Sequence, residues 1–269
     1  MNAAPAGPFA ELRNRRGERL EFAWHAGSPA AADVARPSSA VAILAHGVTS
    51  SFDRPYLVAL GEALARAGVS ALRFSFAGNG GSDGRFEDAT LTKEVDDAAS
   101  VVDALQGAGF AKIAWAGHSM GGAVGVLLAA RDARVAALAS LAGMFHVARF
   151  FERHFAKLPF GAPMLGKAKC PWSRALAEDA ARIGSLDEAA RRVKVPWLLV
   201  HGDADEMVPL ADATDARDAC AAAGAWSPEL VVIHGADHRF GGATPALVAA
   251  VVAWLAKEWA ERLNPPPTR

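Results

Sequence analysis

Lys112-Ile-Ala-Trp-Ala116, then Gly117-His118-Ser119-Met120-Gly121, then Gly122 to Ala130: this stretch decides the fold. Its opening segment has the length and apolar, β-forming character of a buried strand. Its closing segment is rich in Ala, Val and Leu and reads as a packed helix. Between them a serine is flanked at one remove by two glycines. A strand that turns this sharply into a helix crosses its own backbone closely and leaves no room for Cβ atoms, so glycine is needed at both places. The turn lifts the Ser119 hydroxyl out of the sheet and points a helix N-terminus at whatever it attacks. A bare G-x-S-x-G is a weak signal; strand before and helix after make it a strong one.

Outward from this unit one rhythm repeats. Short apolar runs lie at Val41–His46, Ser70–Ser75, Ile113–Ala116, Val135–Leu141, Trp197–His201 and Leu230–His234. Most lack polar alternation, as parallel strands covered on both faces do. Helical stretches lie between them at Pro55–Ala67, Leu91–Gln106, Ser119–Arg131 and Pro209–Ala222, with a last one from about Pro245 to Arg262. Alternating β and α elements imply an α/β fold, a mostly parallel sheet wound by right-handed crossovers. The start differs. Glu11-Leu-Arg13, a polar turn at Asn14–Gly17 and Leu20–His25 read as an antiparallel hairpin. The tail from Asn264 to Arg269 reads as disordered.

Residues 144–192 break the rhythm, because they join two strands and far exceed a usual αβ connection. They carry Phe145, Phe150, Phe151, His154, Phe155, Phe160 and Trp172. Long insertions at the edge of such sheets often wall a substrate pocket, so Phe145, Phe151, Phe155 and Trp172 are candidate substrate contacts. An extra helical layer packed for stability is the competing reading.

Bulk properties bound the function. The chain has 269 residues and a formal net charge of -1. A domain of this size buries roughly three quarters of its unfolded surface and needs no disulfide or metal to hold it. The charge argues against nucleic acid or an anionic membrane surface as the main partner. Cys170 and Cys220 form neither a disulfide framework nor metal spacing and read as reduced thiols. Met1–Pro8 has no basic or apolar region of a secretory signal, and no run approaches the ~20 apolar residues of a membrane span. A cytoplasmic enzyme is the expectation.

Ser119 is a weak nucleophile until an imidazole takes its proton, and the imidazole needs an acid to hold its tautomer. In this kind of sheet both partners follow the serine on loops after later strands. Two loops qualify, His201-Gly-Asp-Ala-Asp-Glu-Met-Val-Pro209 and His234-Gly-Ala-Asp-His-Arg-Phe240, each after a strong apolar strand. On these loops Asp203, Asp205 and Asp237 compete for the acid role. His118 points away from an elbow serine and reads as packing; His46 and His201 read as loop supports. HExxH and HxH are absent, so no metal is expected. Gly78-Asn-Gly-Gly-Ser-Asp-Gly84 lacks the endings of a phosphate loop, so neither a nucleotide nor any other cofactor is expected.

These motifs, with His46-Gly-Val-Thr-Ser50 and Phe74-Ser-Phe-Ala-Gly-Asn-Gly-Gly-Ser-Asp-Gly84, resemble the α/β-hydrolase family over nearly the whole chain. The similarity is to serine esterases related to cinnamoyl and feruloyl esterases and to serine-aminopeptidase-like hydrolases. The resemblance implies a single domain over residues 1–269 with a mostly parallel eight-stranded sheet, N-terminal strands antiparallel, flanking helices, and a helical lid at 144–192. It places the acid on Asp205, the base on His238 and the oxyanion amides on Val48 and Met120. Asn79 stands where the family often has histidine, a departure in loop packing. Val48 replaces a frequent aromatic and opens the acyl side.

The implied activity is hydrolysis of small to medium acyl or aryl esters through an acyl-Ser119 intermediate, with a small-molecule ester as the partner. A thioesterase, an aminopeptidase or an acyltransferase would use the same machinery. An aminopeptidase needs a carboxylate for the substrate amine, with Glu152 and Glu178 as the insertion's candidates. A ligand-binding protein with little turnover is the reading from another class.

Overall fold

The computed structural model describes residues 7–27, 39–224 and 227–263, with side chains through Trp259. The strands are β1 (Phe22–His25), β2 (Ala40–Ala45), β3 (Ser70–Phe74), β4 (Lys112–His118), β5 (Val135–Leu141), β6 (Trp197–Gly202) and β7 (Glu229–Ile233). The helices are α1 (Pro55–Arg66), α2 (Leu91–Gly107), α3 (Met120–Ala129), α4 (Val147–Phe155), α5 (Arg174–Ile183), α6 (Asp187–Arg192), α7 (Leu210–Ala222) and α8 (Thr244–Leu263). One sheet takes the order β1-β3-β2-β4-β5-β6-β7, parallel except for β1, which runs antiparallel to β3.

All six residues of β2 are buried, and they face two cores. Successive side chains of a strand point to opposite faces. Val41 and Ile43 therefore join Leu72, Trp115 and Leu138 beneath α2 and α3, while Ala42 and Leu44 join Ala114 and Leu198 beneath α1 and α8. This two-sided burial is why the runs lack polar alternation. Local chemistry fixes the helix starts. Pro55 opens α1, where its missing N–H would have no partner anyway. The hydroxyls of Thr90 and Ser173 cap α2 and α5 by accepting from the Lys93 and Leu176 amides.

The described residues form seven strands, not eight. The Glu11–Arg13 arm contributes only an isolated Arg13–Arg19 bridge, and β1 pairs with β3, Phe22 opposite Phe74. The reason lies in side chains. Asn14 and Arg16 bond to the buried Asp97 on α2, and Arg15 to Asp103, so the turn is tied to a helix instead of extending a ladder. The tail from Asn264 to Arg269 lies outside the described residues.

Residues 144–192 hold α4, α5, α6 and a short 3-10 turn at Met164–Gly166. Two buried aspartates fasten this segment. Asp212 on α7 accepts from the amides of Phe145 and His146, each at 3.1 Å. Asp179 on α5 accepts from the Thr92 amide at 2.9 Å and the Thr92 hydroxyl at 2.7 Å. Cys170 is half-buried and Cys220 buried, and both are free. No helix among the described residues is long and apolar enough to cross a membrane.

Candidate active site

The chain runs from β2 out to β3 and returns to β4 on the other side of β2, so the sheet order reverses there. Ligands bind at the carboxyl ends of strands at such a reversal. Ala45 pairs with Gly117, which brings the loop after β2 beside the turn after β4.

Ser119 occupies that turn at φ 53° and ψ -114°. A left-handed φ is strained for a side-chain-bearing residue and persists only where the surroundings enforce it. The enforcement is visible. The Ser119 amide donates to the Leu141 carbonyl at 2.9 Å, and its own carbonyl accepts from Gly122, Ala123 and Met144. A Cβ on Gly117 would lie 2.0 Å from the Gly121 carbonyl oxygen, and one on Gly121 would lie 2.6 Å from that of His46. Both glycines are therefore obligatory. The Ser119 hydroxyl is buried and has no hydrogen-bond partner. Among the described residues the amides of Val48 and Met120 also have none.

His238 donates from Nδ1 to Asp205 Oδ2 at 2.8 Å. The other carboxylate oxygen accepts from the Met207 and Val208 amides at 2.9 and 2.8 Å. Burial works against the Asp205 charge. The His201 ring 3.4 Å from Oδ2, then the hydrogen bonds from His238 and the Val208 amide, outweigh it and hold the carboxyl well below the usual range. Asp203, by contrast, is bonded to His234 Nδ1 and the Gly235 amide at the surface, and Asp237 caps the Arg239 and Gly241 amides.

His118 is fully packed between these parts. Its Nε2 donates to the His238 carbonyl at 2.7 Å, so its Nδ1 is the acceptor for the Tyr56 hydroxyl at 3.0 Å. Burial, then the neighbouring His238, push its pKa down to about 3, so the ring stays neutral. His46 donates to the Gly47 carbonyl and accepts from the Phe76 amide. His201 donates to the Val208 carbonyl. Both support loops.

Residues 62–262, which are 201 of the 269, match the family model described as the prolyl oligopeptidase family. The chain belongs to the prolyl oligopeptidase family. Solved structures similar to this member include Est1E from Butyrivibrio proteoclasticus with ferulic acid bound, at 24% identity and TM-score 0.82, covering 94% of this chain and 100% of that one. The Pyrococcus furiosus esterase Pf2001 matches at 20% identity and TM-score 0.71, over 93% and 91% of the two chains. An alpha-beta serine hydrolase homologue from Coxiella burnetii matches at 23% identity and TM-score 0.64, over 91% and 95%. No curated protein matches. The fold of this prolyl oligopeptidase-family chain is thus that of the α/β hydrolases.

Ser119, His238 and Val48 face one cavity of about 150 Å³. Phe150, Leu165 and Lys167 wall it from the 144–192 segment, with Arg54, Tyr56, Glu206, Met207 and Arg239 around them. Phe145, Phe151, Phe155 and Trp172 are not in that wall. Phe151 stacks on Trp172 at 5.5 Å and 10°, Phe155 packs on both, and Phe145 meets Trp197 edge-on. These four are buried core. Glu152 and Glu178 are exposed and outside the cavity. Among the described residues no cluster of His, Cys, Asp or Glu is arranged to hold a metal. Nothing in the sequence marks Tyr56 or the three cations, and Phe150 stands out there only as one of the insertion's aromatics; proximity in the fold brings all five to the cavity.

Proposed function

We propose that this chain hydrolyses carboxylic esters of small to medium acyl or aryl acids through an acyl-Ser119 intermediate. The observation that carries the reading is the Asp205–His238 hydrogen bond opening onto the same cavity as the strained, unpartnered Ser119. With its Nδ1 proton committed to Asp205, neutral His238 keeps Nε2 as an acceptor for the serine proton. Ser119 Oγ attacks the ester carbonyl as His238 takes that proton. The unpaired amides of Val48 and Met120 receive the oxyanion, each contributing about 3 kcal/mol to the transition state. The alcohol leaves with the proton from His238, and water activated by the same ring then releases the acid and frees Ser119.

The Ser119 hydroxyl makes no hydrogen bond to His238 in this structure, and the proposed mechanism requires that contact to form as the ester carbonyl is attacked. Residues 144–192 act as the cap over the pocket through Phe150, Leu165 and Lys167. A peptide with a free amine is the less favoured substrate, since its ammonium would meet Arg54, Lys167 and Arg239 with only Glu206 to receive it.

The test is initial-rate hydrolysis of p-nitrophenyl esters from acetate to palmitate, with Ser119→Ala beside the wild type. The expected result is turnover of the shorter esters and a loss of about four to six orders of magnitude in the variant. Absence of turnover on every ester, with a fluorophosphonate still labelling Ser119, would overturn the reading in favour of thioesters, amides or ligand capture.

A further inference from the structure

We propose that Arg54, Lys167 and Arg239 form an anion-binding subsite at the mouth of the Ser119 cavity, and that the preferred substrates are esters that also carry a carboxylate or phosphate. The inference rests on the ester-hydrolase reading for the word substrate, but the subsite itself does not.

The first ground is the local charge. The chain as a whole is close to neutral, at a formal net charge of -1. Its cavity is not. Three of the lining side chains are Arg or Lys and only Glu206 is acidic. They come from three separate parts of the fold: Arg54 precedes α1, Lys167 follows the 3-10 turn of the insertion, and Arg239 follows His238. A groove continuing from the cavity toward Asn79 is lined by Arg54 and Lys167 again and by Lys169.

The second ground is that these cations lack carboxylate partners. Elsewhere the guanidinium groups of Arg13, Arg15, Arg16 and Arg134 each pair with an acid within 2.8 Å. None of Arg54, Lys167 and Arg239 has a carboxylate within 4 Å among the described residues. Arg54 uses only Nε, donating to the Ser50 hydroxyl at 2.6 Å, so its terminal amino groups are unspent. Lys167 is half-buried and donates to the Thr49 carbonyl, which ties the insertion across the cavity to the loop bearing Val48. Arg239 is exposed, and its guanidinium has no hydrogen-bond partner among the described residues. Asp53 acts on both Arg54 and Lys167, but only from beyond 4 Å; it accepts from the Ser51 hydroxyl at 2.6 Å and stands outside the cavity wall.

The third ground is mutual repulsion. Burial, then Arg54 and, more weakly, Arg239 depress the Lys167 pKa, so like charges are held together in a partly dry site. An anion relieves both costs at once. A guanidinium fork matches a planar carboxylate or a phosphate, and an ammonium on a tied stem adds a point charge.

The experiment compares kcat/KM for mono-p-nitrophenyl succinate, glutarate and adipate with that for the neutral butyrate, valerate and hexanoate esters at low salt. The expected result is an anionic preference of about tenfold or more, the scale of one charge-assisted hydrogen bond, falling several-fold in each of Arg54→Gln, Lys167→Gln and Arg239→Gln. Arg239→Glu should move the preference toward a cationic ester. A wild-type preference of one or less, or a ratio unmoved in the triple Gln variant with an unchanged melting temperature, would overturn the subsite. Protection of Ser119 from a fluorophosphonate by glutarate or inorganic phosphate tests it without turnover. If either anion slows labelling of the wild type but not of the triple variant, the subsite stands even where no ester is cleaved. If neutral esters are cleaved while neither anion protects, the subsite falls and ester hydrolysis stands. Which anion protects tells carboxylate from phosphate substrates.

Discussion

His118 Nε2 donates to the main-chain carbonyl of His238 at 2.7 Å, so the residue next to Ser119 holds the backbone of His238. The Tyr56 hydroxyl fixes the ring from its other nitrogen. Together they join the end of β4, the start of α1 and the loop after β7, and set where the imidazole of His238 stands relative to Ser119.

In the proposed reaction His118 is therefore a positioning residue, and its loss should appear in kcat. A misplacement of about 1 Å costs up to ~100-fold in rate. His118→Phe, which keeps the ring shape but not the donor, is expected to lower kcat on a short ester by about 10- to 100-fold with KM within about threefold. His118→Gln, which can present an N–H near the same place, should recover much of the loss. Steady-state kinetics on both variants is the check, and a wild-type kcat in His118→Phe would remove the role.

The choice between the two aspartates of the His201–Pro209 loop is also measurable. Asp205 is hydrogen-bonded to His238 and Asp203 to the exposed His234. Asp205→Asn is expected to lower kcat by about 10⁴-fold by offering the wrong tautomer, and Asp203→Asn by less than about threefold. The sign of the pH effect follows from the lowered pKa of Asp205. Its contribution to stability is present above the ordinary carboxylate value of about 3.9 and is lost as pH falls toward the lower folded value. The melting-temperature gap between wild type and Asp205→Asn should accordingly narrow as pH falls below about 4.

Much of this was legible in the sequence because the signals are local. Parallel strands buried on both faces read as unbroken apolar runs, so Val135–Leu141 appears in the structure with those same ends. The elbow is legible for the same reason, since its glycines answer to atoms within four residues and to the adjoining β2 loop. The pocket was not. Phe150 lines the cavity while its neighbours Phe151 and Phe155 are core, and residue type at helical spacing cannot separate an aromatic facing a void from one facing a tryptophan. Arg54, Lys167 and Arg239 are far apart in sequence and read singly as solvated charges. Only the fold brings them to one mouth.

Glu94 carries a cost that pH exposes. It is buried on α2, its Oε2 has no partner, and burial, then Asp97 and Asp179, raise its pKa well above the ordinary value. A raised folded pKa means that stability is full below the unfolded value of about 4.3 and is lost as pH rises through the folded one. Glu94→Gln removes the charge and keeps the shape. It should gain on the wild type with rising pH, by about 1 kcal/mol or about 2–4 °C at pH 8. Thermal melts from pH 5 to 9 give the answer, and a gap that does not change across that range would refute it.

The strain at Ser119 should be separable from its chemistry. Ser119→Ala and Ser119→Gly both remove the hydroxyl, and both should abolish ester turnover. They differ in the backbone. A φ of 53° costs a residue with a Cβ about 1–2 kcal/mol and costs glycine almost nothing. Against this, glycine loses more freedom on folding, by about 0.5–1 kcal/mol. Ser119→Gly is therefore expected to be more stable than Ser119→Ala by about 0.5–1 kcal/mol, or about 1–4 °C in melting temperature. If instead Ser119→Ala melts above Ser119→Gly by glycine's entropic cost of about 0.5–1 kcal/mol, the elbow stores no strain, and the conformation of Ser119 is held at no cost by the Leu141, Gly122, Ala123 and Met144 hydrogen bonds around it.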